Sequence, residues 1–164
     1  MKKLRAYVRL LRQKMLRDRL SPKRVAGGWA LGMFVGCFIP FGLQLIVSIP
    51  LSFLMKVSKI GATVGTFVTN PVTIIFIYPV QTWVGSYLIA SPLGWNEITG
   101  YCHRLAGVSV FSADGWRTLS EIGGAVLGGF FAGGLLMALV LTPLTYFAVL
   151  DITRRHRERI SRRG

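Results

Sequence analysis

A chain of 164 residues in which 52% of side chains are hydrophobic and 16% charged is poor in charge beside soluble domains, which carry roughly a quarter. Its net charge of +14 is segregated: residues 25–55, 60–96 and 122–150 carry no Asp, Glu, Lys or Arg, and the cations collect toward the two ends. Three such runs, each longer than the ~20 apolar residues that span a bilayer core, argue against a soluble domain, and basic blocks without interleaved aromatics or a zinc pattern argue against a nucleic-acid partner.

The expected fold class is an all-α integral membrane protein. It comprises an N-terminal interfacial amphipathic helix, a Pro/Gly-broken re-entrant helical hairpin, and about two full transmembrane crossings with a short external segment. Residues 1–20, MKKLRAYVRLLRQKMLRDRL, set Leu4, Tyr7, Val8, Leu11 and Met15 on one helical stripe among Lys and Arg. That pattern reads as a basic amphipathic helix lying in the headgroup layer against anionic lipid, with a solvated basic tail as the alternative. Ser21-Pro22 reads as a helix start, Ser21 capping and Pro22 in the first turn, and opens a membrane domain over 21–150.

The first uncharged run, 25–55, would measure about 46 Å as a single helix, against a core of ~30 Å. Pro40 and Gly42 interrupt it. Proline removes a backbone donor and clashes with the preceding turn, and glycine permits a sharp reversal. The expectation is a re-entrant hairpin that enters over 25–38, turns near 39–43 and leaves by 55; a tilted helix kinked at proline is the alternative. Unpaired backbone groups in such a turn are tolerable only when buried in protein or lining a wet cavity.

The second run contains TNPVT at 69–73. A residue before proline is driven toward extended geometry, so a break is expected at Asn70. Residues 60–90 then read as a broken helix and crossing: a half-helix over 60–69, then a crossing from about 71 to 90 begun by Pro71. Residues 91–120, with Trp95, Tyr101, Phe111 and Trp116, read as an external interfacial segment. Residues 121–150 read as the last crossing, and 151–164 as a basic cytoplasmic tail. The positive-inside rule places both termini and the Lys56/Lys59 link in the cytoplasm, and the net −1 segment 97–121 outside. Three crossings violate that parity; two crossings and one re-entrant run satisfy it. The expected location is the bacterial cytoplasmic (inner) membrane, multi-pass, with no cleaved signal peptide.

Gly28, Gly32 and Gly36 recur every four residues, as do Gly61 and Gly65, Gly124 and Gly128, and Gly129 and Gly133. This spacing lets helix backbones approach closely, within one subunit or between subunits. The apolar runs hold only uncharged polar groups: Gln44, Ser48, Ser52, Thr63, Thr66, Thr69, Asn70, Thr73, Gln81, Thr82, Ser86, Thr142 and Thr145. Hydroxyls at such positions serve as interhelical glue, but Gln44 and Asn70 each adjoin a proline break. Cys37 and Cys102 suit neither a disulfide framework nor a metal site. His103 and His156 lack a partnered carboxylate, and no nucleophile motif or phosphate-cradling loop is present. No enzyme activity, metal or cofactor is expected.

PFGLQ at 40–44, GGWALGMFVG at 27–36 and TNPVT at 69–73 resemble the bacterial membrane family catalogued as domain of unknown function 2062, over roughly residues 20–150. The resemblance implies that Pro40, Gly42, Gln44, Asn70, Pro71 and Thr73 occupy its signature positions, and it implies no activity. Those six residues are the expected ligand-binding set. The expected function is transport or flipping of a polar solute or anionic lipid through the broken helices. The alternative is a non-transporting membrane scaffold or partner subunit of an envelope enzyme. Expected partners are anionic lipid at the cytoplasmic face and a second copy or another membrane protein, but no nucleic acid.

Overall fold

The computed structural model describes residues 20–106, 112 and 123–161. Among these the chain is all-helical: α1 Pro22–Phe38, α2 Gln44–Leu54, α3 Lys59–Thr66, α4 Pro71–Leu88, α5 Trp95–Ala106 and α6 Gly124–Ser161. The expected interfacial helix over 1–20 and most of the external segment beyond residue 106 lie outside the described residues.

Local chemistry sets the boundaries. Pro22 occupies the first turn of α1, but the Ser21 hydroxyl caps no backbone N–H, contrary to the sequence expectation. Proline already lacks one of the donors such a cap serves. α1 stops at Phe38 because Ile39, ahead of Pro40, is extended at φ −99° and ψ 133°. Gly42, at φ 99°, then reverses the chain into α2. Ser58 caps α3 by accepting from the Gly61 N–H at 2.9 Å. α6 continues through Pro143 and on to Ser161, so residues 151–161 of the basic tail are the last part of one 38-residue helix.

Glycines align the helices. Gly28 faces Ser58, Gly32 faces Ala62 and Gly65, and Gly36 faces Thr66 and Thr69, so α1 and α3 run parallel in close contact. α2 must therefore run back between them, and the Ser58 N–H donates to Arg24 O at 3.0 Å. The chain thus leaves at Arg24 and returns beside it: α1 and α2 form a hairpin with its tip at residues 39–43. α6 lies antiparallel to α1, with Val25 and Ala26 packed on Val149 and Leu150 and Phe38 on Phe131 at 5.5 Å. Gly85 of α4 seats against Gly129 and Gly133 of α6.

Thr69 and Gln81 are about 18 Å apart along the chain at helical rise, yet they bond consecutive residues of α1, Gly36 and Cys37. α4 therefore passes obliquely over the hairpin tip. α3 runs beside α1, and α4 slants across the end of α1. α5 folds back along α4, with Trp95 against Trp83 at 6.2 Å and Ile98 packed with Ile74, Tyr78 and Phe130.

Large apolar side chains lie outside and several polar ones lie inside, beside the apolar clusters of the interior. Leu54 (79%), Phe76 (71%) and Phe147 (66%) are exposed, whereas Gln44 (2%), Gln81 (1%), Thr69, Ser48 and Ser52 are buried. α6 is long and apolar enough to cross a membrane over Gly124–Arg159, and Gln44–Leu54 and Val72–Leu88 are shorter apolar helices.

The ends also differ. Lys23, Arg24, Lys56, Lys59, Arg154, Arg155, Arg157 and Arg159 gather where α1 begins, α2 meets α3 and α6 finishes. The opposite end carries the ring cluster Trp83, Tyr87 and Trp95. Along α6, Gly128 beside Ile89 and Leu150 beside the Val25 end of α1 are about 33 Å apart at 1.5 Å per residue.

Candidate functional site

The two proline breaks meet. At the hairpin tip the Phe41 N–H, which no α1 carbonyl can take, donates to the Tyr78 hydroxyl of α4 at 2.7 Å. Gln44, at the start of α2, reaches the other break. Its Nε2 donates to Thr69 O at 3.3 Å, and its Oε1 accepts from the Thr69 hydroxyl at 2.9 Å. The Thr69 carbonyl fixes the orientation of the amide, because a flipped Gln44 would set two acceptors face to face. The one Thr69 proton also has Gly36 O at 3.0 Å and Thr66 O at 3.1 Å within reach. This buried knot ties α1, α2 and the end of α3 together.

Asn70 sits next to the knot but turns away from it. Its Oδ1 accepts from the Val72 and Thr73 N–H groups at 2.9 and 3.1 Å, and Thr73 Oγ1 accepts from the Asn70 N–H at 2.9 Å. That is a reciprocal capping box, with Pro71 in the first turn of α4. Gln44 therefore pairs with Thr69, and Asn70 and Thr73 are committed to the helix start. Of the six expected ligand-binding residues, Gln44 alone has its side chain in the knot; Pro40 and Gly42 shape its turn, and Asn70, Pro71 and Thr73 begin α4.

Three side chains that organise this region were not singled out by sequence reasoning. Thr69 and Gln81 were visible as polar residues in apolar runs, but nothing distinguished them from ordinary glue. Tyr78 carries no signal beyond being an aromatic residue in an apolar run. Gln81 is a second hub: its Nε2 donates to Cys37 O at 3.2 Å and Phe130 O at 2.9 Å, joining α4 to both α1 and α6. Its Oε1 is buried without a partner. Gly134 is required beside it, since a Cβ there would lie 2.7 Å from both Cys37 O and Gln81 Nε2.

The fully buried residues of α2 are all polar, Gln44, Ser48 and Ser52, one turn apart, while Val47 and Leu51 pack half-buried on Leu31, Val35 and Ala62. Ser52 Oγ donates to Ile49 O at 2.6 Å, while Ser48 Oγ has no partner. On the far side the knot is closed by apolar packing, for Phe41 lies against the cluster of Ile74, Tyr78, Ile98 and Phe130.

The glycine expectations divide. Gly28, Gly32, Gly36, Gly61 and Gly65 form the α1–α3 contact. Gly124 has open space around it, and Gly128 meets only the end of Ile89, at 3.0 Å, so the α4–α6 contact belongs to Gly85, Gly129 and Gly133 instead. Among the described residues no group of three or more His, Cys, Asp and Glu could hold a metal ion.

The model of the family described as an uncharacterized protein conserved in bacteria (DUF2062) matches residues 5–162. No curated protein and no solved structure matches the chain. With nearly its whole length covered, the chain belongs to that uncharacterized bacterial family.

Proposed function

We propose that the chain is a multi-pass protein of the bacterial cytoplasmic membrane that works as a fixed scaffold, or as a partner subunit of an envelope enzyme. In this reading α1 and α2 re-enter from the cytoplasmic face, α3 and α4 cross outward and α6 returns, leaving both ends inside. Support comes from the apolar exterior, from the described cations at one end and an aromatic cluster at the other, and from the ~33 Å of α6 between Gly128 and Leu150, close to a hydrocarbon core of ~30 Å. Glycine-lined helix contacts suit a medium in which close packing replaces hydrophobic burial.

The observation that carries the scaffold reading is closure of the hairpin tip, whose polar breaks are saturated and covered by the Phe41 ring packed on Ile74, Tyr78, Ile98 and Phe130. Gln44, Thr69, Asn70 and Thr73 all spend their polar atoms on internal bonds of 2.8–3.3 Å. A solute could use them only by displacing those bonds. Transport of a polar solute or anionic lipid is the second reading, favoured by the buried polar stripe of α2 and its unpartnered Ser48.

Purified Gln44→Leu separates the two readings. A scaffold loses thermal stability, and wild type in liposomes gives no solute or lipid flux above empty vesicles. Flux that Gln44→Leu abolishes at unchanged stability supports transport instead. Topology is tested separately by single cysteines at residues 56, 96 and 159 in a background lacking Cys37 and Cys102. Positions 56 and 159 should label from the cytoplasm and 96 from outside; label at 56 from outside overturns the re-entrant hairpin.

A further inference from the structure

The corner between α2 and α3 combines features that the scaffold reading leaves unexplained. Lys56 holds a left-handed backbone, φ 53°, a conformation that glycine or asparagine adopts more cheaply. Lys59 extends over the Phe53 ring, with Nζ 3.6 Å from its centroid, so its ammonium stands above an apolar surface. The Ser58–Arg24 backbone bond brings Lys23 and Arg24 to the same corner. Residues 20–96 contain no Asp or Glu. On α6, the helix packed against this end, Asp151 is engaged by Arg155 at 2.8 Å. Immediately beside these cations, Phe53, Leu54, Met55 and Ile60 are exposed.

We propose that this corner seats an anionic phospholipid: the headgroup phosphate on Lys56 and Lys59 beside Lys23 and Arg24, the acyl chains along Phe53, Leu54, Met55 and Ile60. The inference rests on the membrane-embedded reading above and deepens it from a general basic face to one corner. A lipid matches both halves of the surface. Free phosphate or a nucleic acid would use the cations and leave the adjoining apolar wall bare. Lysines at the edge of an apolar belt direct their charge to headgroup level.

The test titrates detergent-purified protein with phosphatidylglycerol and with phosphatidylcholine, reading bound lipid by native mass spectrometry. Wild type should prefer phosphatidylglycerol. Lys56→Asn with Lys59→Gln should weaken that binding about thirtyfold, from the energy of two lysines near an anionic surface. Asn is chosen because it tolerates the left-handed position. Thermal unfolding without lipid should not change; if the pair misfolds, Lys59→Gln alone is read, with about a fivefold loss expected. Equal binding of the two lipids, or unchanged binding by the folded variant, overturns the proposal. So does displacement of phosphatidylglycerol by equimolar glycerol 1-phosphate, which would make the site one for free phosphate. Binding of an RNA oligonucleotide with the same lysine dependence in lipid-free protein would make it a nucleic-acid site. A chain that stays dispersed without detergent defeats the membrane reading itself, whereas an embedded chain without lipid preference defeats only this corner.

Discussion

Gly65→Ala, with Gly128→Ala as its control, tests whether glycines of identical spacing have different jobs. A Cβ on Gly65 would stand 2.7 Å from Trp29 O, 3.0 Å from Gly32 Cα and 3.1 Å from Met33 N, all backbone atoms of α1. Restoring an ordinary contact of ~3.4 Å forces α1 and α3 apart by about 0.7 Å. A gap of that size forfeits a quarter to a half of each van der Waals well of 0.1–0.2 kcal/mol. Over on the order of 50 atom pairs the loss is about 2–3 kcal/mol, within the usual cost of overpacking. Alanine recovers about 1 kcal/mol of helix propensity, leaving a net destabilisation of about 1–2 kcal/mol. At Gly128 the new methyl meets only Ile89 Cδ1 at 3.0 Å, the end of a side chain that can rotate away, so Gly128→Ala should be neutral or slightly stabilising. Equilibrium unfolding in mixed micelles, following helicity, measures both. Equal destabilisation of the two variants would refute the assignment of Gly65 to an intrachain backbone contact.

Asn70→Ala should cost about 1 kcal/mol in the same assay by removing the α4 cap, and Asn70→Asp, which keeps the accepting oxygen, should recover part of it. Tyr78→Phe leaves the Phe41 N–H unpaired at the hairpin tip and should cost about 1–2 kcal/mol; hydrogen exchange at Phe41 should rise with it. Gln81→Leu strands the Cys37 carbonyl, whose i+4 donor Phe41 is bonded to Tyr78, and cuts the tie to Phe130, with an expected loss of about 1–2 kcal/mol. A Gln44→Leu/Thr69→Val double-mutant cycle should return a coupling of at least about 0.5 kcal/mol, and additivity within error would show that the two side chains do not act as a pair.

The positions of the breaks were legible because proline and glycine act locally. Pro40 with Gly42, and Asn70 with Pro71, determine their own backbone whatever surrounds them, and the helices begin and end accordingly. The partners were not legible. Gln44 and Asn70 look alike in the sequence, each an amide beside a proline, so nothing there says which residue Gln44 meets. Its partner is Thr69, because the capping box turns the Asn70 oxygen toward its own helix. Nothing local marks Tyr78 as the group that receives the Phe41 N–H, because the two are 37 residues apart and meet only when α4 crosses the tip. Pro50, Pro79 and Pro143 show the converse: prolines that helices absorb, with neither a glycine within two residues, as at Pro40, nor a capping asparagine just before them, as at Pro71.

The same bonds bear on whether the knot can open. Withdrawing the hairpin tip breaks about four of them: Phe41 to Tyr78, the Gln44 amide to Thr69 O, the Thr69 hydroxyl to its acceptor, and Gln81 to Cys37. At about 0.6 kcal/mol for each buried polar contact between membrane helices, the sum of about 2.4 kcal/mol would leave an open state near 2%, inside the range in which minor conformers function. Hydrogen bonds alone therefore do not make a fixed scaffold. Phe41 decides the matter. Opening also draws its ring from against Ile74, Tyr78, Ile98 and Phe130, and losing that packing costs up to about 3 kcal/mol, on the scale of phenylalanine deletions. The open population then falls to the order of one in ten thousand, below the range on which gated transport draws. A scaffold reading thus depends on an apolar plug above the knot more than on the polar bonds within it, and Phe41→Ala is the substitution that should loosen the tip most.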